Sequence, residues 1–233
     1  MTTGPDAADG LPGTLASDLA AAALALARRS AAGGTLWCHA PSWPHHASHV
    51  VVEFLHPVVV GTRALPAVAA GSVPALRAGI APGDVLLLIG TADDPALLDL
   101  ARRAPAWGAT VLWIGCGHPP AAGAADHVLW LPDEDHAPYD GRLVLLYHLL
   151  WELTHVCFEH PGLLAPEPER TDPVCITCSD EGRLGEVVSV DGAVALVRTP
   201  TGTEQVDVTL IGGAAPHELV LVHAGSALTR LPG

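Results

Sequence analysis

The chain of 233 residues carries 25 acidic side chains against 11 basic ones, for a formal charge of −14. That balance repels nucleic acid, which binds proteins through the counterions that basic residues release, and leaves small ligands and other proteins as partners. All the basic residues are arginines, so a lysine Schiff base and the lysine of a phosphate-gripping P-loop are both excluded.

Residues 1–10 are polar and read as a flexible tail, without the basic start and apolar run of a secretion signal. No later stretch reaches the ~18 uninterrupted apolar residues of a membrane span. A cytoplasmic protein is expected, and there five cysteines point to thiols, metal ligands or a reactive sulfur rather than to disulfides.

From residue 11 to 164 the pattern alternates helix and strand. A helix over 14–30 precedes the short apolar strand TLWC, and a second helix covers 45–55. Further strands are ALPAVAA, DVLLLIG, ATVLWIG and DHVLWLP, with the helix PALLDLARRA between the second and third of these. Apolar runs separated by helices predict an α/β fold, a doubly wound parallel sheet covered on both faces by helices. The segment YDGRLVLLYHLLWELTHVCFEH closes it as a long helix. The proline- and acid-rich PGLLAPEPERTDP cannot continue that helix and reads as a linker, with residues 165–173 separating the two units.

Residues 174–233 have a different rhythm. GEVVSV and AVALVR flank Asp191-Gly192, a strong two-residue hairpin signal, and QVDVTLI and HELVLVHAG supply two more strands. Four short strands in sixty residues predict a small all-β, OB-like barrel, a shape suited to binding.

Two sulfurs, Cys175 and Cys178, stand at the entrance of this second unit, and a histidine, His223, lies in its last strand, LVLVHAGSAL. On these residues the segment resembles the HypC/HupF family of hydrogenase maturation chaperones. The resemblance implies that Cys175 and His223 bind or relay iron carrying cyanide and carbon monoxide toward a hydrogenase large-subunit precursor, alongside a HypD-like maturation protein. A soft thiolate suits low-spin iron, and an imidazole can ligate or hydrogen-bond beside it. The sequence departs from that family where Thr177-Cys178-Ser179-Asp180 follows the cysteine and where Cys175 is internal. Cys175 acts alone or with Cys178 as a two-sulfur metal or redox site; two incidental thiols at a strand start is the plainer alternative.

On the second helix His49 and Glu53 lie four residues apart, hence on one face. His148 sits on the final helix in YHLLWEL. With these residues the chain from about 15 to 158 resembles a sugar isomerase (SIS) domain, closest to the phosphoheptose isomerases. The resemblance implies a site for zinc or iron made of His49, Glu53, Asp140 and His148, and self-association into a dimer or tetramer. A surface pair is the alternative for His49 and Glu53. His148, Glu152 and His155 share a helical face that serves equally as a dimer contact or a rival metal site.

SIS domains grip phosphate through serine-rich loops. Here the first loop, HAPSWPHH, keeps only Ser42, and the second, GTADDPA, places Asp93 and Asp94 where neutral residues belong. Two carboxylates repel a phosphate dianion, so a sugar phosphate is disfavoured as substrate. The expectation is a hydrogenase maturation accessory protein with a degenerate SIS unit. The alternative is an aldose–ketose isomerase that uses Glu53 and His148 as acid and base.

Overall fold

The computed structural model describes residues 13–59, 61–131, 141–165 and 182–231. Its first part is a five-stranded parallel sheet of order β2-β1-β3-β4-β5, formed by Leu36–His39 (β1), Ala67–Ala69 (β2), Val85–Ile89 (β3), Thr110–Cys116 (β4) and His127–Leu131 (β5). Five helices accompany it: Gly13–Ala31 (α1), Pro44–Leu55 (α2), Val73–Gly79 (α3), Pro95–Arg103 (α4) and Gly141–Glu159 (α5).

Alternation along β3 explains why both faces are covered. Val85, Leu87 and Ile89 join a core with α1, α2 and α5, while Leu86 and Leu88 point into a second core with α3, α4 and the 3-10 turn Ala104–Trp107. All five β3 side chains are buried, as a continuous apolar run predicts. Helix α3 is missing from the sequence reading because its seven residues are too few to show a period; its start is nonetheless written in Ser72, whose hydroxyl accepts from the Ala75 amide, and in Pro74 of the first turn.

The second part is a closed five-stranded barrel, β10-β8-β7-β6-β9, built from Arg183–Asp191 (β6), Val194–Thr199 (β7), Gly202–Asp207 (β8), Leu219–His223 (β9) and Ser226–Leu231 (β10). Val187, Val197, Val206, Val220, Val222 and Ala227 fill it. Four strands were predicted, and β10 is the fifth. HELVLVHAG ends as a strand at His223, because Ala224 and Gly225, at φ 48° and 75°, form a two-residue turn that sends Ser226 back opposite His223. QVDVTLI likewise stops at Asp207, whose Oδ1 accepts from the Thr209 amide at 2.7 Å and turns the chain into a 3-10 turn. In the β6–β7 hairpin Asp191 pairs with Val194, so the turn residues are Gly192 and Ala193, one position later than the sequence suggests.

The barrel packs on the second core of the sheet. Leu219 of β9 is counted among the buried residues of that core, with Leu184 of β6 beside it. At the same contact the buried Glu186 receives Arg77 at 3.0 Å, Arg103 at 3.1 Å and the Trp107 indole N–H at 2.6 Å. Arg198 of β7 donates to the carbonyls of Arg77 and Ile80, with its guanidinium 5.3 Å from the Trp107 ring centroid. Gly108 is needed here twice over, at φ +78° and with the position of a Cβ only 2.9 Å from the Pro200 carbonyl oxygen. Among the described residues no helix is long and apolar enough to cross a membrane.

Candidate metal centre

Helices α2 and α5 lie side by side over one face of the sheet. Helix α2 starts at Pro44 and buries His46, Ala47, Val50 and Phe54; α5 buries Leu143, Leu146, Tyr147 and Leu150 against the same core. The Trp151 indole N–H donates to the Glu53 carbonyl at 2.9 Å and ties the two helices at the level of the polar residues between them. Glu53 is one turn from His49 on α2, and His148 faces both from α5.

Three donor atoms converge there. His49 Nε2 lies 3.3 Å from His148 Nε2 and 3.4 Å from Glu53 Oε1, and His148 Nε2 lies 3.7 Å from the same oxygen. Tetrahedral zinc with bonds of about 2.0–2.2 Å sets its ligands about 3.3–3.6 Å apart along each edge; two edges of the triangle fall in that range and the third, at 3.7 Å, lies just above it. The donor set, two imidazoles and a carboxylate, suits zinc or ferrous iron, and three protein ligands are the complement of a site that keeps a position open. A metal ion held by these three residues would supply Lewis acidity. Among the described residues this is the group of three histidine, cysteine or acidic side chains close enough to hold an ion. Asp140, the expected fourth member, lies outside the described residues.

Two further groups support the triangle. Tyr147 Oη is 2.9 Å from His49 Nδ1 and 3.4 Å from Nδ1 of the buried His46. Burial, then the charge of Glu53, push the Tyr147 phenol up to about 12, which keeps it protonated. Neither residue figures in the sequence reading, although the helical spacing of His46 and His49, and the adjacency of Tyr147 to His148, carry the signal.

Among the described residues the rival group on α5 does not bring three donors together. His155 is buried, and its two ring nitrogens face backbone carbonyls, those of Trp151 at 2.8 Å and Arg63 at 3.0 Å. Cys38 and Cys157 are buried as well; burial pushes both thiols up, for Cys157 against the pull of Arg28. Iodoacetamide applied to the native protein is expected to leave Cys38 and Cys157 unmodified, as read by peptide mass spectrometry, since the thiolate is the reactive form.

The loops after β1 and β3 meet where the strand order reverses, the place where open α/β sheets hold ligands. Here the chain fills that place itself. Asp94 Oδ1 accepts from the Ala96 and Leu97 amides at the start of α4, and Oδ2 accepts from the Ser42 hydroxyl at 3.2 Å. A carboxylate thus takes the amides a phosphate would need. Replacing Asp94 by alanine is expected to cost about 1 kcal/mol of stability in urea melts, with asparagine retaining most of it. Beside this contact, Thr91, Asp93, Leu98, Cys116 and His118 line an open cleft of about 710 Å³ at the carboxyl ends of β3 and β4.

In the barrel His223 is the last residue of β9, and Arg183 at the start of β6 pairs with its neighbour Val222. The chain therefore enters the barrel beside His223. Cys175 and Cys178 precede this entry and lie outside the described residues.

No family model matches the chain, and no curated protein matches it. Solved structures do. A phosphoheptose isomerase from Francisella tularensis superposes with a TM-score of 0.52 at 20% identity, over 62% of this chain and 88% of that one. The phosphoheptose isomerase of Neisseria gonorrhoeae gives 0.51 at 18% identity, over 60% and 86%. The part of the chain that carries His49, Glu53 and His148 therefore has a phosphoheptose isomerase-like SIS fold.

Proposed function

We propose that this chain is an accessory protein of nickel–iron hydrogenase assembly. Its α/β unit holds a zinc or iron ion at His49, Glu53 and His148, and its barrel takes an iron–cyanide–carbonyl fragment as cargo through Cys175 and His223. One observation carries the metal-handling reading: three donors from two helices meet at 3.3–3.7 Å from one another, close to the edge lengths of a tetrahedral site. Asp94 in the anion seat supports a role other than sugar-phosphate turnover. The hydrogenase assignment draws on the barrel sequence, in which the cysteine pair leads into the strand that runs beside His223. A large-subunit precursor and a HypD-like protein are the partners of this reading, and self-association of the α/β unit would cover the exposed Val52, Leu55, Val58 and Val59.

The test is infrared spectroscopy on the full chain purified from a hydrogenase-producing cell. Bands of metal-bound carbonyl and cyanide are expected, and Cys175→Ala and His223→Ala are expected to lose them. A Cys175→Ala protein that keeps the bands refutes the cargo role of that sulfur.

A second reading has its own support. Glu53 and His148 stand 3.7 Å apart in a phosphoheptose isomerase-like fold, close enough to share acid and base roles next to a carbonyl. Turnover of sedoheptulose phosphate by the pure protein, abolished in Glu53→Gln, would put this reading first.

A further inference from the structure

We propose that Tyr147 and His46 are positioning residues that set the ring tautomer of His49, turning its Nε2 lone pair toward the metal. The proposal rests on the reading of His49, Glu53 and His148 as a metal centre.

A histidine that ligates through Nε2 carries its proton on Nδ1. Among the described residues His49 Nδ1 faces the Tyr147 hydroxyl, at 2.9 Å, and that hydroxyl also reaches His46 Nδ1 at 3.4 Å. The phenol has one proton to give to one or the other imidazole, which defines two arrangements. In the first, His49 Nδ1–H donates to Tyr147 Oη and the phenol donates to His46 Nδ1, leaving His49 Nε2 bare and ready to ligate. In the second, the phenol donates to His49 Nδ1, and His49 Nε2 then carries a proton into the triangle, toward His148 Nε2 at 3.3 Å or Glu53 Oε1 at 3.4 Å, where it blocks an ion. The two arrangements differ in the direction of one hydroxyl and in which ring nitrogen of His49 holds the proton, and a His46 protonated on Nε2, with Nδ1 free to accept from the phenol, selects the first.

The packing is built for such a relay. His46 is 3% and Tyr147 1% exposed, so bulk water does not substitute for either partner. The Tyr147 ring meets the ring of His46 at 70° and that of His49 at 76°, with centroids 5.8 and 5.3 Å apart. These edge contacts hold the hydroxyl between the two imidazoles.

The experiment uses the full-length protein stripped of metal, titrated with zinc against a chromogenic chelator. Tyr147→Phe is expected to weaken zinc binding by about 10–100-fold, the effect of losing an outer partner of a ligating histidine. His46→Phe keeps the ring packing, removes the acceptor and is expected to weaken binding as well. The double variant is expected to bind no more weakly than Tyr147→Phe, since both changes cut one chain. Independently of any variant, nitrogen NMR on the metal-free wild type is expected to find the His49 proton on Nδ1, a signature that packing alone does not set. Variants within twofold of wild type, a double effect equal to the product of the single ones, or a metal-free His49 protonated on Nε2 each overturn the proposal while leaving the metal centre standing. A wild-type protein that takes up no zinc overturns the metal centre itself, and the proposal with it.

Discussion

Replacing Glu186 by alanine is expected to lower the free energy of unfolding by about 3–5 kcal/mol, the range for removing one partner of a buried ion pair. Glu186 is only 2% exposed, and its two oxygens receive Arg77, Arg103 and Trp107, which come from α3, α4 and the 3-10 turn that follows α4. Without it the Trp107 N–H is buried with no acceptor, and Arg77 and Arg103 face each other across a gap that no anion fills. Arg103 retains Asp99 at 2.7 Å, which places the loss inside this range rather than above it. Glu186→Gln keeps an acceptor for Trp107 and should fall in between. Urea denaturation followed by tryptophan fluorescence and circular dichroism measures the change. It also tests the coupling of the two units, because Leu219 sits in the core of the sheet: one shared transition is expected for the wild type and two for Glu186→Ala. A loss below about 1 kcal/mol would reduce the cluster to an ordinary surface contact.

His148→Ala should abolish stoichiometric zinc binding. It removes one of the three proposed ligands found among the described residues, the one that α5 supplies, so the loss should exceed the ~10–100-fold typical of an outer-shell change. Metal analysis after dialysis, and the visible absorption of the cobalt-substituted protein, provide two readouts. Glu53→Gln keeps the shape and removes the charge, and should bind more weakly than wild type without losing the site. Cys175→Ala should leave zinc binding unchanged, which would separate the proposed helical site from the barrel. One zinc per chain surviving in His148→Ala would move the metal centre elsewhere.

Much of the fold was legible because buried parallel strands write themselves as uninterrupted apolar runs. VLLLI and TVLWIGC have no other reading when Gly and Pro bound them. What escaped was short or depended on special backbone. Helix α3 has too few residues for periodicity, and the turn before β10 places Ala224 at a positive φ that propensity assigns to glycine. The site shows the same division. His49 and Glu53 were visible from their spacing, and His148 from resemblance, whereas the distances among them depend on how α2 and α5 pack across about a hundred residues of sequence. Tyr147 had only its adjacency to His148 to mark it, and a buried tyrosine is most simply a core residue. The Ser42–Asp94 contact spans 52 positions and exists only because β1 and β3 are neighbours in the sheet.

That contact also bears on competition from the surrounding solution. A tethered carboxylate presents itself to the first amides of α4 at an effective concentration of millimolar or more, with no translational entropy left to lose. Free phosphate, sulfate or a nucleotide must displace it before binding, and must do so next to the second negative charge of Asp93. Buffers rich in such anions should therefore leave the end of the sheet, and whatever docks at the neighbouring cleft, largely undisturbed.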